Sequence, residues 1–472
     1  MSHEARGGPR LSGLGTRTGH SVRIGLEVHV YLLTKSKLFC ACSADAQAAP
    51  RANTQVCPTC TGQPGSKPMA PNRVAMEHAI EVARALGCSL RPSVRFLRKH
   101  YFYPDLPTNY QRTSEPVGEG GVLDGVRIRE LHVEEDPGAF DLATGRIDYD
   151  RSGSPLLEIV TDPDFVSPAH ARSFLHELRL VLNHLGAVRD EAGLKADCNV
   201  SVHGGERAEV KNVNSIRNVE RALSFEAERQ LEAHARGETL VRETRHFDED
   251  SGRTTRLRSK ESEADYRYIL DPDLSGVDIA ALAADLPARE APLARRARIA
   301  SLAQAPIEEA SALLEERALT DAFETAGARV GWRLAYDWFL RDLRADLAFK
   351  PMTFAASGLS ANDITALLEA VKEKRITPKV ATRLQREALA SRGGLAAALR
   401  TELGESVGDV LGAARAAVDA NPRAVADYRA GKVAAVNFLV GMVMKHLKGR
   451  AEANAVREAV VQALEGSWGT DR

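Results

Sequence analysis

No run of 18 or more apolar residues occurs in the sequence, which excludes a membrane-spanning helix. Neither sign of charge is in excess. The 63 Lys and Arg face 64 Asp and Glu, for a formal net charge of -1, so the chain cannot coat a nucleic acid by bulk charge and any such contact must be regional. The stretch from Met1 to His20 is rich in Gly, Arg and Ser and has no apolar centre, so it offers no secretory signal. It reads as a floppy extension, 1–21, of a cytoplasmic protein. Walker-type and Gly-x-Gly-x-x-Gly phosphate loops are both missing, so a bound nucleotide must be held in another way. Cysteine is sparse, six in 472 residues, and without an export signal a close grouping of Cys favours metal over disulfides. What remains is an ordinary globular composition, 44% hydrophobic and 27% charged, which rules out disordered, collagenous and disulfide-scaffold proteins. At about 150 residues per domain the length suggests roughly three domains.

Fifteen of the 21 prolines and all six cysteines precede residue 285, after which the chain turns Ala-, Leu-, Arg- and Glu-rich. That shift marks mixed, turn-rich structure giving way to helices. The turn residues of Asp271–Gly276 and of Leu286-Pro287 place the boundary. Before it, Val22 to Tyr31 alternates, with Ile24, Leu26, Val28 and Val30 on one side and Glu27 and His29 on the other, as a half-buried strand does. Ser154 to Val160 is a near-continuous apolar run suited to a strand buried on both faces, and Ala196 to Val202 alternates with Asp197, Asn199 and Ser201 on one side. Helices are expected over Asn72–Leu86, Pro168–Leu185 and Ser215–Arg236. Past the boundary, helical pattern runs from about Pro292 and from Asp321 to Asp342. Ser360 with Asp363 forms a short-acid capping box, Thr377-Pro378 opens another helix, and three more helical patterns follow Glu402. The fold class is therefore α+β followed by all-α.

Cys40-x-Cys42 and Cys57-Pro-Thr-Cys60 supply two thiolate pairs within 21 positions, the arrangement that closes a tetrahedral zinc site. Four protein ligands leave no open position, so such a metal is structural; four reduced thiols are the other reading. Glu27 and His29 share a strand face, and His132-Val-Glu134-Glu135-Asp136 is a second acidic group. Magnesium prefers carboxylates with water and substrate phosphates, although a strand face of this kind is also ordinarily just solvated. Glu158 sits inside an apolar run, where a buried carboxylate needs either a cation or a paired Arg or Lys. For a nucleotide, Arg98-Lys99-His100-Tyr101 mixes charge with aromatic faces, and Lys211-Asn212-Val213-Asn214-Ser215 gathers donors before a helix. From Asn421 to Arg450 six Lys and Arg stand against one acid, a footprint that fits a polyanion or a solvated helix face. The run Val433 to Val443 within it reads as core, with Gly441 permitting close helix packing.

Longer motifs point to a family. Ile24-Gly-Leu-Glu-Val-His-Val30, Tyr101-Phe-Tyr-Pro-Asp-Leu-Pro107, His132-Val-Glu-Glu-Asp136, Pro155-Leu-Leu-Glu-Ile-Val160, Glu209-Val-Lys-Asn-Val-Asn-Ser215, Glu243-Thr-Arg245, Asp265-Tyr-Arg-Tyr268 and Asp427-Tyr-Arg-Ala-Gly-Lys432 resemble, in this order, the B subunits of the tRNA-dependent amidotransferases. The likeness runs from about residue 22 to 465. It implies a ligase subunit that uses ATP to phosphorylate the side-chain carboxylate of Glu-tRNA(Gln) or Asp-tRNA(Asn), after which ammonia displaces the phosphate to give the amide. It also implies a cradle around an antiparallel sheet, a helical domain and a helical tail that reaches the tRNA.

The resemblance sets the expected domains at 22–285 for the cradle with a zinc knob at 40–60, 286–400 for the helical domain and 401–472 for the tRNA-binding tail. By similarity Glu27, His29, Glu134, Glu135 and Glu158 bind magnesium, Lys99 lines the mouth of the ammonia path, and Cys40, Cys42, Cys57 and Cys60 hold zinc. Glu27, His29, Lys99 and Glu158 are then the catalytic candidates. Arg98, Lys99, Tyr101, Lys211, Asn212, Asn214 and Arg245 are assigned to ATP, and Arg429, Lys432, Lys445, Lys448 and Arg450 to tRNA. The chain has no Gly/Ser-rich amidase signature, so the implied partners are an amidase A subunit and a small C subunit, besides tRNA and the non-discriminating aminoacyl-tRNA synthetase. The chain departs from the family pattern at Glu134-Glu-Asp-Pro-Gly-Ala139, where many members have a Lys at the last position.

Overall fold

The alternating segment Val22–Tyr31 is strand β1, and it runs through the middle of a 12-stranded sheet. In the computed structural model, described over residues 22–141, 143–189, 193–202, 205–259, 267–404, 410–432, 434–447 and 453–466, the chain divides into two compact units, the second beginning at Arg296. The expected 1–21 extension lies outside the described residues.

The first unit continues with α1 (Arg73–Ala85), β2 (Phe96–His100), β3 (Tyr110–Ser114), β4 (Gly118–Leu123), β5 (Val126–Glu135), β6 (Pro155–Thr161), α2 (Pro168–Leu185), β7 (Leu194–Val202), β8 (Ala208–Asn214), α3 (Ile216–Ala235), β9 (Glu243–Asp248), β10 (Arg253–Ser259), β11 (Ile269–Leu270) and α4 (Ile279–Asp285). The sheet order is β10-β9-β8-β7-β1-β6-β5-β3-β2-β11, with β4 paired to β5 and the short strand Ser89–Leu90 to β4. Every pairing in it is antiparallel except β8 with β9.

Two-residue periodicity divides the sheet into two faces. Ile24, Leu26, Val28 and Val30 of β1 join Leu157 and Ile159 of β6 and Ala196, Cys198 and Val200 of β7 in one core. The helices cover it with Met76 and Ile80 from α1, Phe174 and Leu178 from α2, and Val219 and Leu223 from α3. Each large side chain buried there contributes roughly 1.5–3 kcal/mol. Local signals set the helix ends. Ser167 Oγ accepts from His170 N–H ahead of Pro168, and Gly186 closes α2 at φ 65, a left-handed cap that favours glycine. The expectation that Ser154–Val160 is buried on both faces needs correction. Glu158 and Val160 are only half-buried, because the second face of β6 belongs to the polar side of the sheet.

The second unit is helical. After α5 (Pro292–Ala303), which crosses the boundary, come α6 (Ile307–Leu314), α7 (Arg317–Val330), α8 (Trp332–Asp337), a π-helical turn Trp338–Leu343, α9 (Arg344–Phe349), α10 (Ala361–Lys372), α11 (Pro378–Ser391), α12 (Leu395–Gly404), α13 (Val410–Asp419), α14 (Pro422–Arg429), α15 (Ala434–His446) and α16 (Ala453–Gly466). The single helical pattern expected over 321–342 breaks at Gly331, whose φ is 105. Trp332 then folds back onto Gly327, where an added Cβ would meet the indole at 2.3 Å. Both expected caps are present. Ser360 and Asp363 form a reciprocal capping box, and Thr377 Oγ1 caps α11.

After Glu402 the described residues hold four helices beyond α12 rather than three, because Pro422 at the first helical position starts the short α14. Ala414, Val418, Leu439, Val443, Val456 and Val460 form their shared core. The apolar run there is only half core, since Phe438 and Met442 are exposed. A Cβ on Gly441 would meet open space, so this glycine does not serve close packing. Among the described residues no helix is long and apolar enough to cross a membrane.

Replacing Ser360 by Ala removes the oxygen that accepts from Asp363 N–H and should cost about 1 kcal/mol. A urea titration should show a lower midpoint at unchanged slope, and Ser360→Asp should restore it.

Candidate functional site

The face of the sheet opposite the core gathers charge. Register places His29 of β1 between Lys195 on β7 and Glu158 on β6, and Glu158 opposite His132 on β5. His29 Nε2 lies 3.4 Å from Glu134 Oε1 and 3.5 Å from Glu158 Oε1. Burial alone would lower the His29 pKa, but the two carboxylates outweigh it and hold the imidazole well above its ordinary range. Glu158 shows the reverse balance: burial pushes it up, while His29, then Lys99 and His132, bring it below the usual carboxylate range. Lys99, on β2, is held protonated against burial by Glu158 and Glu134. Tyr101, just past β2, lies in the field of the same Lys99 and Glu134.

A second group adjoins the first through β1. One carboxylate oxygen each from Glu27, Asp197 and Glu209 lie within 4.8 Å of one another. Asn199 Nδ2 donates to Glu27 Oε1 at 3.0 Å, and among the described residues the buried Asn199 Oδ1 accepts no hydrogen bond. Lys211 Nζ reaches Asp197 at 3.2 Å and Glu209 at 3.4 Å, and Asn212 N–H donates to Asp197 Oδ1 at 2.7 Å. Burial raises the pKa of Glu27, and the carboxylates of Glu158, Asp197 and Glu209 raise it further. Three carboxylates and an open amide oxygen are the donor set of a hard cation such as magnesium. Sequence reasoning named Glu27 but missed Asp197, Asn199 and Glu209. The shared side of Asp197 and Asn199 on one strand was visible, but the pairing of that strand with β1 and with β8, which carries Glu209, was not.

Alternation also separates residues that sequence adjacency had grouped. Arg98, next to Lys99, turns to the other face, where it donates to Asp271 at 2.9 Å and Asp273 at 2.8 Å and stacks on Tyr110. Glu135, next to Glu134, accepts there from Arg112 N at 3.1 Å and Arg112 Nη1 at 3.3 Å, and Arg112 also binds Asp271. Neither faces His29. Arg245 is committed to a buried network in which it donates to Thr254 and Glu243 at 2.8 Å and pairs with Glu226, which is fully buried. Asn214 pairs in register with Lys195 and lines both a cavity between α2 and α3 and a smaller one shared with Asn212 and His246. In the second unit, Arg429 ends α14, Lys445 lies in the last turn of α15, and Lys432 donates to Asp427 at 2.8 Å. Lys448 and Arg450 lie outside the described residues.

The four cysteines of the 40–60 segment converge, with their sulfurs within 4.8 Å of one another and Cys57 and Cys60 Sγ 3.9 Å apart, none in a disulfide. This cluster can hold a metal ion. Cys60 is lowered to about 5 by the Cys40 thiol first, against burial, with help from the Cys57 amide and Lys37. Lys37 is 1% exposed and donates to Gln55 O, Tyr149 O and Cys60 Sγ, the last at 3.4 Å. A buried ammonium is costly unless paired, and here the Cys60 sulfur and two carbonyl oxygens satisfy it. Gly62, at φ 64, lets the knob sit against the Pro107 carbonyl, where a side chain would collide at 2.7 Å. Ser152 Oγ donates to Cys60 O at 2.9 Å. Lys37→Met removes a charge-assisted donor to the thiolates and should weaken metal retention about 10- to 100-fold. Zinc competition against a chromogenic chelator on the intact chain reads the change.

Comparisons with known proteins identify the relatives of this chain. The family described as "GatB/GatE catalytic domain" matches residues 22–284, and that described as "GatB domain" matches residues 321–464. The aspartyl/glutamyl-tRNA(Asn/Gln) amidotransferase B subunit of Methanothermobacter thermautotrophicus is 43% identical over 455 residues, covering 94% of this chain and 100% of that protein. The protein of the same name from Methanopyrus kandleri is 43% identical over 457 residues, covering 94% and 99%. That from Methanocaldococcus jannaschii is 40% identical over 465 residues, covering 94% and 98%.

Proposed function

The chain belongs to the family of amidotransferase B subunits, and from that premise we propose that its polar sheet face activates the side-chain carboxylate of a misacylated tRNA and converts it to the amide. The reading is carried by one observation, the meeting of His29, Glu134, Glu158 and Lys99 with Glu27, Asp197 and Glu209 on a single face. In the reaction, a carboxylate oxygen of Glu-tRNA(Gln) or Asp-tRNA(Asn) takes the γ-phosphoryl group of ATP and ADP leaves. Ammonia then attacks the acyl carbon, the phosphate departs and the amide remains. Such transfer needs chiefly positioning and neutralisation of charge.

Glu27, Asp197 and Glu209, together with His29, Glu134 and Glu158, would hold magnesium, whose chemistry here is the screening of phosphate charge. We leave Glu135 out of that set, because its carboxylate orients Arg112, and we assign Arg98 and Arg245 to positioning the sheet rather than to ATP. Lys99 supplies positive charge beside Glu134 and Glu158. Lys211 and Asn212 position Asp197. Zinc is the proposed ion of the cysteine cluster, where it would staple the knob and take no part in catalysis. Ammonia comes in this reading from an amidase A subunit, with a small C subunit completing the enzyme and the cognate non-discriminating synthetase supplying the misacylated tRNA. The tail from 401 to 472, with Arg429, Lys432 and Lys445, contacts the tRNA backbone.

Glu158→Ala should abolish magnesium- and ATP-dependent ADP release by the reconstituted enzyme on misacylated tRNA while leaving tRNA binding nearly intact. Equal loss of both would make Glu158 structural, and ADP release without tRNA would point to a ligase acting on a small carboxylate. Arg429→Glu with Lys445→Glu should weaken tRNA binding across sequences and flatten its salt dependence by about one unit of slope per lost phosphate contact. ADP release at saturating tRNA should be unchanged.

A further inference from the structure

The cavity between α2 and α3, of about 910 Å³, lies on the core side of the sheet: its floor includes Val30, which alternates with His29 along β1 and so points away from the carboxylates. The rest of the floor is also apolar, with Leu182, Val188, Leu194 and Ile216. Its lining is lopsided in charge. Arg172, Arg179, Arg189, Arg217 and Arg221 stand against the single carboxylate of Glu220, which lies 3.4 Å from Arg172. Arg189 already donates to Thr34 O and pairs with Asp45 at 3.6 Å, and Arg221 donates to Asn218 Oδ1. Among the described residues Arg179 and Arg217 have neither a hydrogen bond nor an ion pair. His176 on the same rim is lowered by burial and then by Arg179 and Arg172.

We infer that this cavity is a docking groove for an acidic, partly apolar peptide segment of a partner polypeptide. Charge complementarity requires an anion, and guanidinium forks match carboxylates in two-point contacts. An apolar floor asks for side chains that leave water. Spacing selects the peptide over a nucleotide. Arg172 and Arg179 are seven residues apart on α2, about 10 Å along the axis, while Arg217 lies on the other helix. A nucleotide concentrates its charge at one end, whereas an extended segment carries carboxylates about 7 Å apart on one side and apolar groups on the other. A nucleic-acid backbone is convex and favours cationic surface over a concave apolar floor.

The test uses the full chain and a labelled peptide alternating glutamate with leucine, read by fluorescence anisotropy. Controls are the same peptide with glutamine for glutamate, a short single-stranded RNA, and ATP. The acidic peptide should bind with an affinity that falls as salt rises, and the glutamine peptide should bind about tenfold more weakly or worse. Arg179→Glu with Arg217→Glu should abolish the preference, while Arg179→Lys with Arg217→Lys should retain it with an unchanged unfolding curve. Equal binding of the two peptides, or undiminished binding by the charge-reversed chain, overturns the inference. So does RNA or ATP displacing the peptide from wild type and losing its own binding on charge reversal. None of these readings involves ADP release, so the inference and the proposed reaction fail independently.

Discussion

An imidazole held between two carboxylates in the middle of a large sheet is the contact on which the first unit turns. His29 meets Glu134 and Glu158 from strands on the same side of β1, and each charge is tolerated only because the others are there. Buried singly, any of them would cost several kcal/mol. Within this set His29 is held above and Glu158 below its ordinary range, each against the direction that burial alone would give.

That arrangement depends on the other face of the same strands. Ile24, Leu26, Val28 and Val30 anchor β1 in the core under α1, α2 and α3, and a one-residue slip would exchange the two faces entirely. Register is thus enforced by hydrophobic burial on one side, and the charged set on the other inherits its geometry. The buried pair of Glu226 and Arg245 plays a related part at the far edge, tying α3 to β9 and β10.

The cysteine knob shows the same economy of charge at a different site. Of its four sulfurs Cys60 is the one drawn toward the charged form, and the buried Lys37 supplies the cation that faces it. The knob is further fastened to the loop around Asp150 through Gln55 N–H at 2.6 Å and to Pro107 through Gly62, so its folding and that of the sheet edge are coupled. In the tail the charge balance is looser, and Lys432 is already paired with Asp427.

Much of this was legible in the sequence by itself. Strict alternation marked β1 with its true bounds, capping residues marked the starts of α10 and α11, and the spacing of four cysteines anticipated a single cluster. Glu27 and His29 could be placed on one face because two residues on one strand obey a fixed period. The sequence could not say which strands lie beside β1, because pairing over 100 or more positions depends on how whole elements pack and carries no local signal. Hence Asp197 and Glu209 joined Glu27 unannounced. For the same reason Arg98 parted from Lys99 and Glu135 from Glu134: a motif read as a block is split by the pleat, and only tertiary structure decides which half meets the site.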